Sequence, residues 1–190
     1  MKQFERITTD YVEAEDRVRM VGTLPGNEVV QAWITQRLLQ RLVLALVQWL
    51  QKQGQKQGQG QGAEVRAPDA LRTEVMQGFA QQAARARMTP QPPVRAAPGE
   101  AAWLVSSVDV AQHPQAVRLT FKGTRSGGAA DAAVPEAVEL GTLTLAPEPL
   151  RQWLNILFDN YRKAEWPLQA WPDWVSESAH TEPPGPVLMH

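Results

Sequence analysis

The chain contains no cysteine, so disulfide staples, thiolate nucleophiles and cysteine zinc sites are excluded together. Histidine is almost as scarce. His113, His180 and His190 are the only three, and none stands at an HxH or HxxxH spacing that would bring two imidazoles to one metal ion. There is no excess of either charge: 19 basic against 20 acidic residues give a net charge of −1, too little for a global field toward nucleic acid or an anionic membrane. Long apolar runs are missing too. The longest stretch without a polar residue in the most hydrophobic region, LVLALV at 42–47, falls far short of the roughly 18 needed to span a bilayer. The first residues, MKQFERITTDYVEAED, lack the basic start and apolar centre of a secretory signal, which sets a cytoplasmic location as the expectation. The abundance of Gln, Ala, Pro and Arg suggests a bacterial source.

Glycine-based phosphate motifs are absent: GTRSGG at 123–128 leads into an Ala-rich stretch and not into a helix start that could offer N–H groups to a phosphate. Ser106 and Ser107 lie within a strand pattern, without the GxSxG elbow that lifts a nucleophile onto a sharp turn. The acidic run Asp10, Glu13, Glu15 and Asp16 reads as a solvated turn before a strand. No residue is therefore assigned a catalytic, cofactor or metal role.

What remains is a chain of 190 residues with 43% apolar content, enough for one ordinary core. Its clearest element is a helix beginning at Thr35, whose hydroxyl is suited to cap it. Leu39, Leu42, Val43, Leu46, Trp49 and Leu50 recur at spacings of three and four, flanked by Leu38 and Val47. Burying those eight side chains is worth roughly 12–24 kcal/mol as an upper figure, so the face must be covered. Leu44 alone interrupts the polar side, and is a candidate for a subunit interface.

Before this helix, DRVRMVGTL and EVVQAWI flank the turn residues Pro25, Gly26 and Asn27, and predict a hairpin, with a further strand over 4–9. The same order returns later: strand patterns from Ala101, Gln115 and Val138, then a helix near Pro147 carrying Leu150, Trp153, Leu154, Leu157, Phe158 and Tyr161. At an offset of 111 residues, Leu39, Leu42, Val43, Leu46 and Val47 fall on Leu150, Trp153, Leu154, Leu157 and Phe158. Pseudo-duplication of a βββα unit is one reading of this repeat, and chance agreement between two amphipathic helices is the other.

The predicted architecture is α+β: a largely antiparallel sheet with helices packed on one face. In order come a βββα unit over 1–53, a flexible Gln/Gly linker over 54–67, a middle helix over 68–87, a Pro-rich link over 88–100, a second βββα unit over 101–165 and a Trp/Pro-rich arm over 166–190, all within one domain. In the middle helix, Leu71, Val75, Met76, Phe79 and Ala83 form a thin apolar stripe expected to face the core. Arg66, Arg72, Arg85, Arg87 and Arg95 form a basic patch, but Glu64, Asp69 and Glu74 dilute it, which argues against nucleic acid.

The arm contains Trp166, Trp171 and Trp174, interleaved with Pro167 and Pro172. Proline lowers the entropy lost on docking and Trp supplies buried area. The three indoles either plug the chain's own sheet or anchor a partner. The composite expectation is a non-catalytic cytoplasmic protein-interaction or adaptor module, self-associating as a homodimer through Leu44 or the Trp arm, without a cofactor and without a membrane role. The second reading is an enzyme or small-ligand binder with a pocket between the two units, drawing on side chains such as Asp109, Arg118 and Glu139. The third is weak binding of single-stranded nucleic acid.

Overall fold

The computed structural model describes residues 2–58, 70–97, 99–126 and 136–180. Strands β1 (Arg6–Val12), β2 (Arg17–Thr23) and β3 (Val29–Ile34) precede helix α1 (Gln36–Gly58), and α2 (Ala70–Ala86) follows. Then come β4 (Ala102–Gln112), β5 (Val117–Arg125) and β6 (Val138–Leu145), helix α3 (Pro147–Lys163) and a short α4 (Asp173–His180). The order βββα is thus present twice.

All six strands form one sheet in the order β1-β2-β3-β4-β5-β6. Every neighbouring pair is antiparallel except β3 and β4, where Gln31, Ala32 and Trp33 pair in parallel with Ala102, Trp103 and Leu104. The fold is therefore α+β with a largely antiparallel sheet, as the residue pattern predicts. Turn chemistry sets the β2–β3 hairpin, where Gly26 at φ 83° and Asn27 at φ 63° occupy the left-handed region, which Gly and Asn adopt most readily.

The sheet curls until its ends meet. Thr142 of β6 donates its backbone N–H to Lys2 O, and Phe4 donates to Thr142 O, both at 2.8 Å. Phe4 closes this seam by lying over two glycines. A Cβ added at Gly22 would come within 2.5 Å of its ring, and one at Gly141 within 2.8 Å. Beyond the seam, α3 takes over the free edge of β1: Asn160 Oδ1 accepts from Tyr11 N–H at 3.0 Å and Asn160 Nδ2 donates to Thr9 O at 3.2 Å. One side chain thus satisfies two of the backbone groups that this edge would otherwise leave unpaired.

Helices α1 and α3 cover the sheet's inner face. Leu39, Leu42, Val43, Leu46, Trp49 and Leu50 of α1 join Val18, Met20, Ala32, Ile34, Val117, Leu119 and Phe121 in one buried cluster, as do Leu150, Trp153, Leu154, Leu157, Phe158 and Tyr161 of α3. Thr35 caps α1, its hydroxyl accepting from Leu38 N–H at 3.4 Å. This helix continues past the expected end at Gln53 to Gly58. The flexible linker drawn from residue 54 is thus corrected for its first five residues: adding Gln and Lys to a helix already nucleated costs little, and Gly54 lets Gln77 approach so closely that a Cβ would lie 2.3 Å from its amide nitrogen. The remainder of that linker lies outside the described residues.

A larger correction concerns α2, which is turned the other way round from its hydropathy. Its buried side chains are Gln77, Gln81 and Ala84, whereas Val75, Met76 and Phe79 are 48%, 62% and 63% exposed. The expected core stripe faces outward; of its members, only Leu71 lies outside the described side chains. The Trp/Pro arm contains a short helix, Asp173–His180.

Candidate functional site

Why α2 inverts is decided on α3. Arg151, the residue after Leu150 on α3, is buried at 7% exposure, and a guanidinium cannot be taken out of water without acceptors. Gln77 and Gln81, one turn apart on α2, supply them. Arg151 donates from one terminal nitrogen to Gln77 O at 3.4 Å and to Gln81 Oε1 at 3.3 Å, and from the other to Gln77 Oε1. Both amides use their opposite ends as well: Gln81 Nε2 donates to Arg151 O at 3.0 Å, and Gln77 Nε2 donates to Leu50 O on α1 at 3.1 Å. The guanidinium carbon also stands 5.3 Å from the centre of the Trp174 ring, an attractive cation–π geometry. Burial lowers the Arg151 pKa to about 10, which leaves the group charged at neutral pH.

This network ties α1, α2 and α3 together through polar groups, with Gln152 Nε2 adding a 3.2 Å bond to Ala84 O. The apolar residues of α2 are then left on the far side, because at 100° per residue Val75, Met76 and Phe79 lie opposite Gln77, Gln81 and Ala84. The outward face is graded in size: Val75, Met76 and Phe79 occupy its first half, and the exposed alanines Ala83 and Ala86 its second. Beside the alanines opens a cleft of about 240 Å³ between α1, α2 and the start of α3. Its walls include Leu50, Gly54, Ala80, Ala83, Pro147 and Arg87.

The three arm indoles dock on their own chain. Trp166 donates Nε1–H to Asp16 Oδ1 at 3.1 Å and meets Tyr11 and Tyr161 edge-on at 5.5 and 5.2 Å. Trp171 meets Phe158 and Tyr161 edge-on at 5.2 and 5.3 Å. Trp174 covers Arg151 and lies against Gly78 of α2, where an added Cβ would stand 3.8 Å from its own Cβ. All three are buried, so their rings serve the intramolecular dock. Trp171 and Trp174 rest on α3 and α2, whereas Trp166 also packs against Tyr11 of the edge strand β1. Leu44 is exposed on α1, on the opposite side from the core stripe.

The remaining candidates stay apart. Asp109 pairs with Lys122 at 2.6 Å on the exposed surface of β4 and β5, and Arg118 and Glu139 are exposed on β5 and β6. None of the three lines the cleft. His113 sits in the β4–β5 turn, its carbonyl accepting from Trp49 Nε1 at 3.2 Å. Asp10 is held by Arg19 at 2.7 Å, and Asp16 accepts from Tyr11 and Trp166. No set of three His, Asp or Glu residues among the described ones could hold a metal ion. Among the described residues, no helix is long and apolar enough to cross a membrane. Of the basic patch, Arg87 pairs with Glu148 at 3.5 Å, and Arg66 lies outside the described residues.

The outward stripe of α2 was missed because hydropathy assigned it inward; the detectable signal was Gln77, Gln81 and Ala84 at the same helical spacing, on a helix whose neighbour carries an arginine inside an otherwise apolar pattern. Comparison with protein-family models, with curated proteins and with solved structures finds no match to this chain.

Proposed function

We propose that the chain is a non-catalytic protein-interaction module whose docking surface is the outward face of α2. One observation supports this most: a helix held to its own chain by glutamines presents Val75, Met76 and Phe79 to solvent. Contiguous exposed apolar groups on a structured helix are the usual mark of an interaction surface. An aromatic anchor beside a cleft is the usual form of an energetic centre. Trp166, Trp171 and Trp174 then act in cis, holding α4 and α3 so that α2 is presented rigidly, and Leu44 forms a separate, single exposed apolar point. A rigid scaffold reduces the ordering cost of binding.

The test is a binding comparison between the wild-type chain and Phe79→Glu, with circular dichroism to verify that both are folded. Loss of partner capture with unchanged folding supports the reading; equal capture by both overturns it. A second reading, a small-ligand site, is favoured by one observation: the cleft lies where the helices of the two βββα units converge, with Arg87 and Arg151 in its wall. It predicts a thermal shift with an anionic ligand that disappears in Arg87→Ala.

A further inference from the structure

We infer that the partner of the α2 face is a second copy of this chain, joined by antiparallel pairing of the two α2 helices about a two-fold axis. The inference rests on the docking role proposed for this helix. Two features of the helix favour a copy of itself over another occupant. The first is shape. Large side chains fill the N-terminal half of the face and small ones the C-terminal half, so an antiparallel pair lays Met76 and Phe79 of one copy over Ala86 and Ala83 of the other. Bulk meets space on both sides of the axis at once, which is the self-complementarity a two-fold interface requires. A parallel pair would set Phe79 on Phe79 and leave alanine facing alanine.

The cleft is the second feature. It opens beside Ala83, with Leu50, Gly54 and Pro147 in its wall, where the incoming Phe79 of the other copy would arrive. Knob and hole are thus one helical turn apart on the same molecule, and the two-fold operation fills both holes with both knobs. Antiparallel helix dipoles add to the preference. A helix of 17 residues is about 26 Å long, which gives an interface at the small end of the range for stable complexes. The expected dimer is accordingly one that dissociates around micromolar concentration, about 10⁻⁶ M.

The experiment is sedimentation equilibrium on the full chain over a concentration series centred on that range. Wild type is expected to move from monomer to dimer mass. Phe79→Glu is expected to remain monomeric with an unchanged circular dichroism spectrum. The double variant Phe79→Cys with Ala83→Cys, in a chain that has no other cysteine, is expected to yield a covalent dimer on oxidation. A strictly monomeric wild type overturns the inference, as does a dimer that survives Phe79→Glu. Dimerisation appearing only after removal of residues 181–190 also overturns it, because that segment would then be the occupant in the intact chain. A monomeric wild type that still loses partner capture on Phe79→Glu removes the second copy and leaves the docking role standing.

Discussion

Helices α2 and α3 have equal lengths of 17 residues and pack against each other, yet they solve burial in opposite ways. In α3, Leu150, Trp153, Leu154, Leu157, Phe158 and Tyr161 face the core, with Arg151, Asn155 and Asn160 buried beside them, and the apolar stripe sets its orientation. In α2, two glutamines face in and the apolar residues face out. The difference comes from Arg151, a charge on the side of α3 that α2 covers: desolvating it is tolerable only where acceptors wait, and two glutamines outweigh the gain from burying Val75, Met76 and Phe79. A buried cation can thus dictate the orientation of a helix against its own hydropathy, and the displaced apolar groups become a surface.

The sharpest way to break this contrast is to exchange large for small on each helix. Phe158→Ala in α3, whose ring is buried and meets Trp171, is expected to lower unfolding stability by about 3–5 kcal/mol. Phe79→Ala in α2 is expected to leave the monomer within about 0.5 kcal/mol of wild type. Urea unfolding, at a concentration where the chain is monomeric, measures both; similar losses would mean that Phe79 is a core residue. Next in size is the polar clamp. Gln81→Ala deprives the buried guanidinium of one acceptor and is expected to cost about 1.5–3 kcal/mol. Native-state hydrogen exchange should show α2 losing protection before α1 and α3.

A smaller effect separates satisfied from unsatisfied polar groups. Asn155 of α3 is buried with neither amide atom hydrogen-bonded among the described residues, in contrast to the fully engaged Gln77 and Gln81. Asn155→Leu, close in volume and free of the desolvation cost, is expected to raise stability by about 1–3 kcal/mol, measured by the same unfolding curves.

The smallest effect is confined to alkaline pH. Burial raises the Tyr161 hydroxyl above its ordinary value of 10, so the folded chain keeps this proton where the unfolded chain loses it. Stability from this group is full below pH 10 and falls as pH rises beyond it. Arg151 acts in the other direction: burial brings its folded pKa down to about 10, below the ordinary arginine value, so its contribution rises as pH climbs from about 10 toward that value. Tyr161→Phe should therefore flatten the alkaline loss while leaving neutral-pH stability equal or slightly higher, since the hydroxyl has no hydrogen-bond partner among the described residues.

How legible each helix was in the sequence follows from the same contrast. Helices α1 and α3 carry one long apolar stripe each, and nothing competes with it, so their positions and inward faces follow from spacing. The six strands follow similarly from alternation and from turn residues such as Gly26 and Asn27. Helix α2 has two stripes of nearly equal length, one apolar and one of Gln77, Gln81 and Ala84, and the residue that selects between them lies 70 positions from Gln81 and 74 from Gln77. No local pattern contains that information. The sheet closure at Gln3 and Thr142 was hidden for a related reason, since it depends on a bridge between residues far apart in the sequence. The indoles of the arm were recognisable as anchors from composition, but their targets lie far off in the sequence, Tyr11 and Asp16 for Trp166 and Gly78 of α2 for Trp174.

The account depends on which side of α2 meets solvent, and a chain without native cysteine allows that to be measured by thiol labelling of single-cysteine variants. At concentrations where the chain is monomeric, Phe79→Cys is predicted to react at nearly the rate of a free thiol and Ala84→Cys, at a position 2% exposed, to be strongly protected in the folded state. Protection of Phe79→Cys at every dilution together with rapid reaction of Ala84→Cys would contradict the inverted orientation of α2, and with it the proposed docking surface.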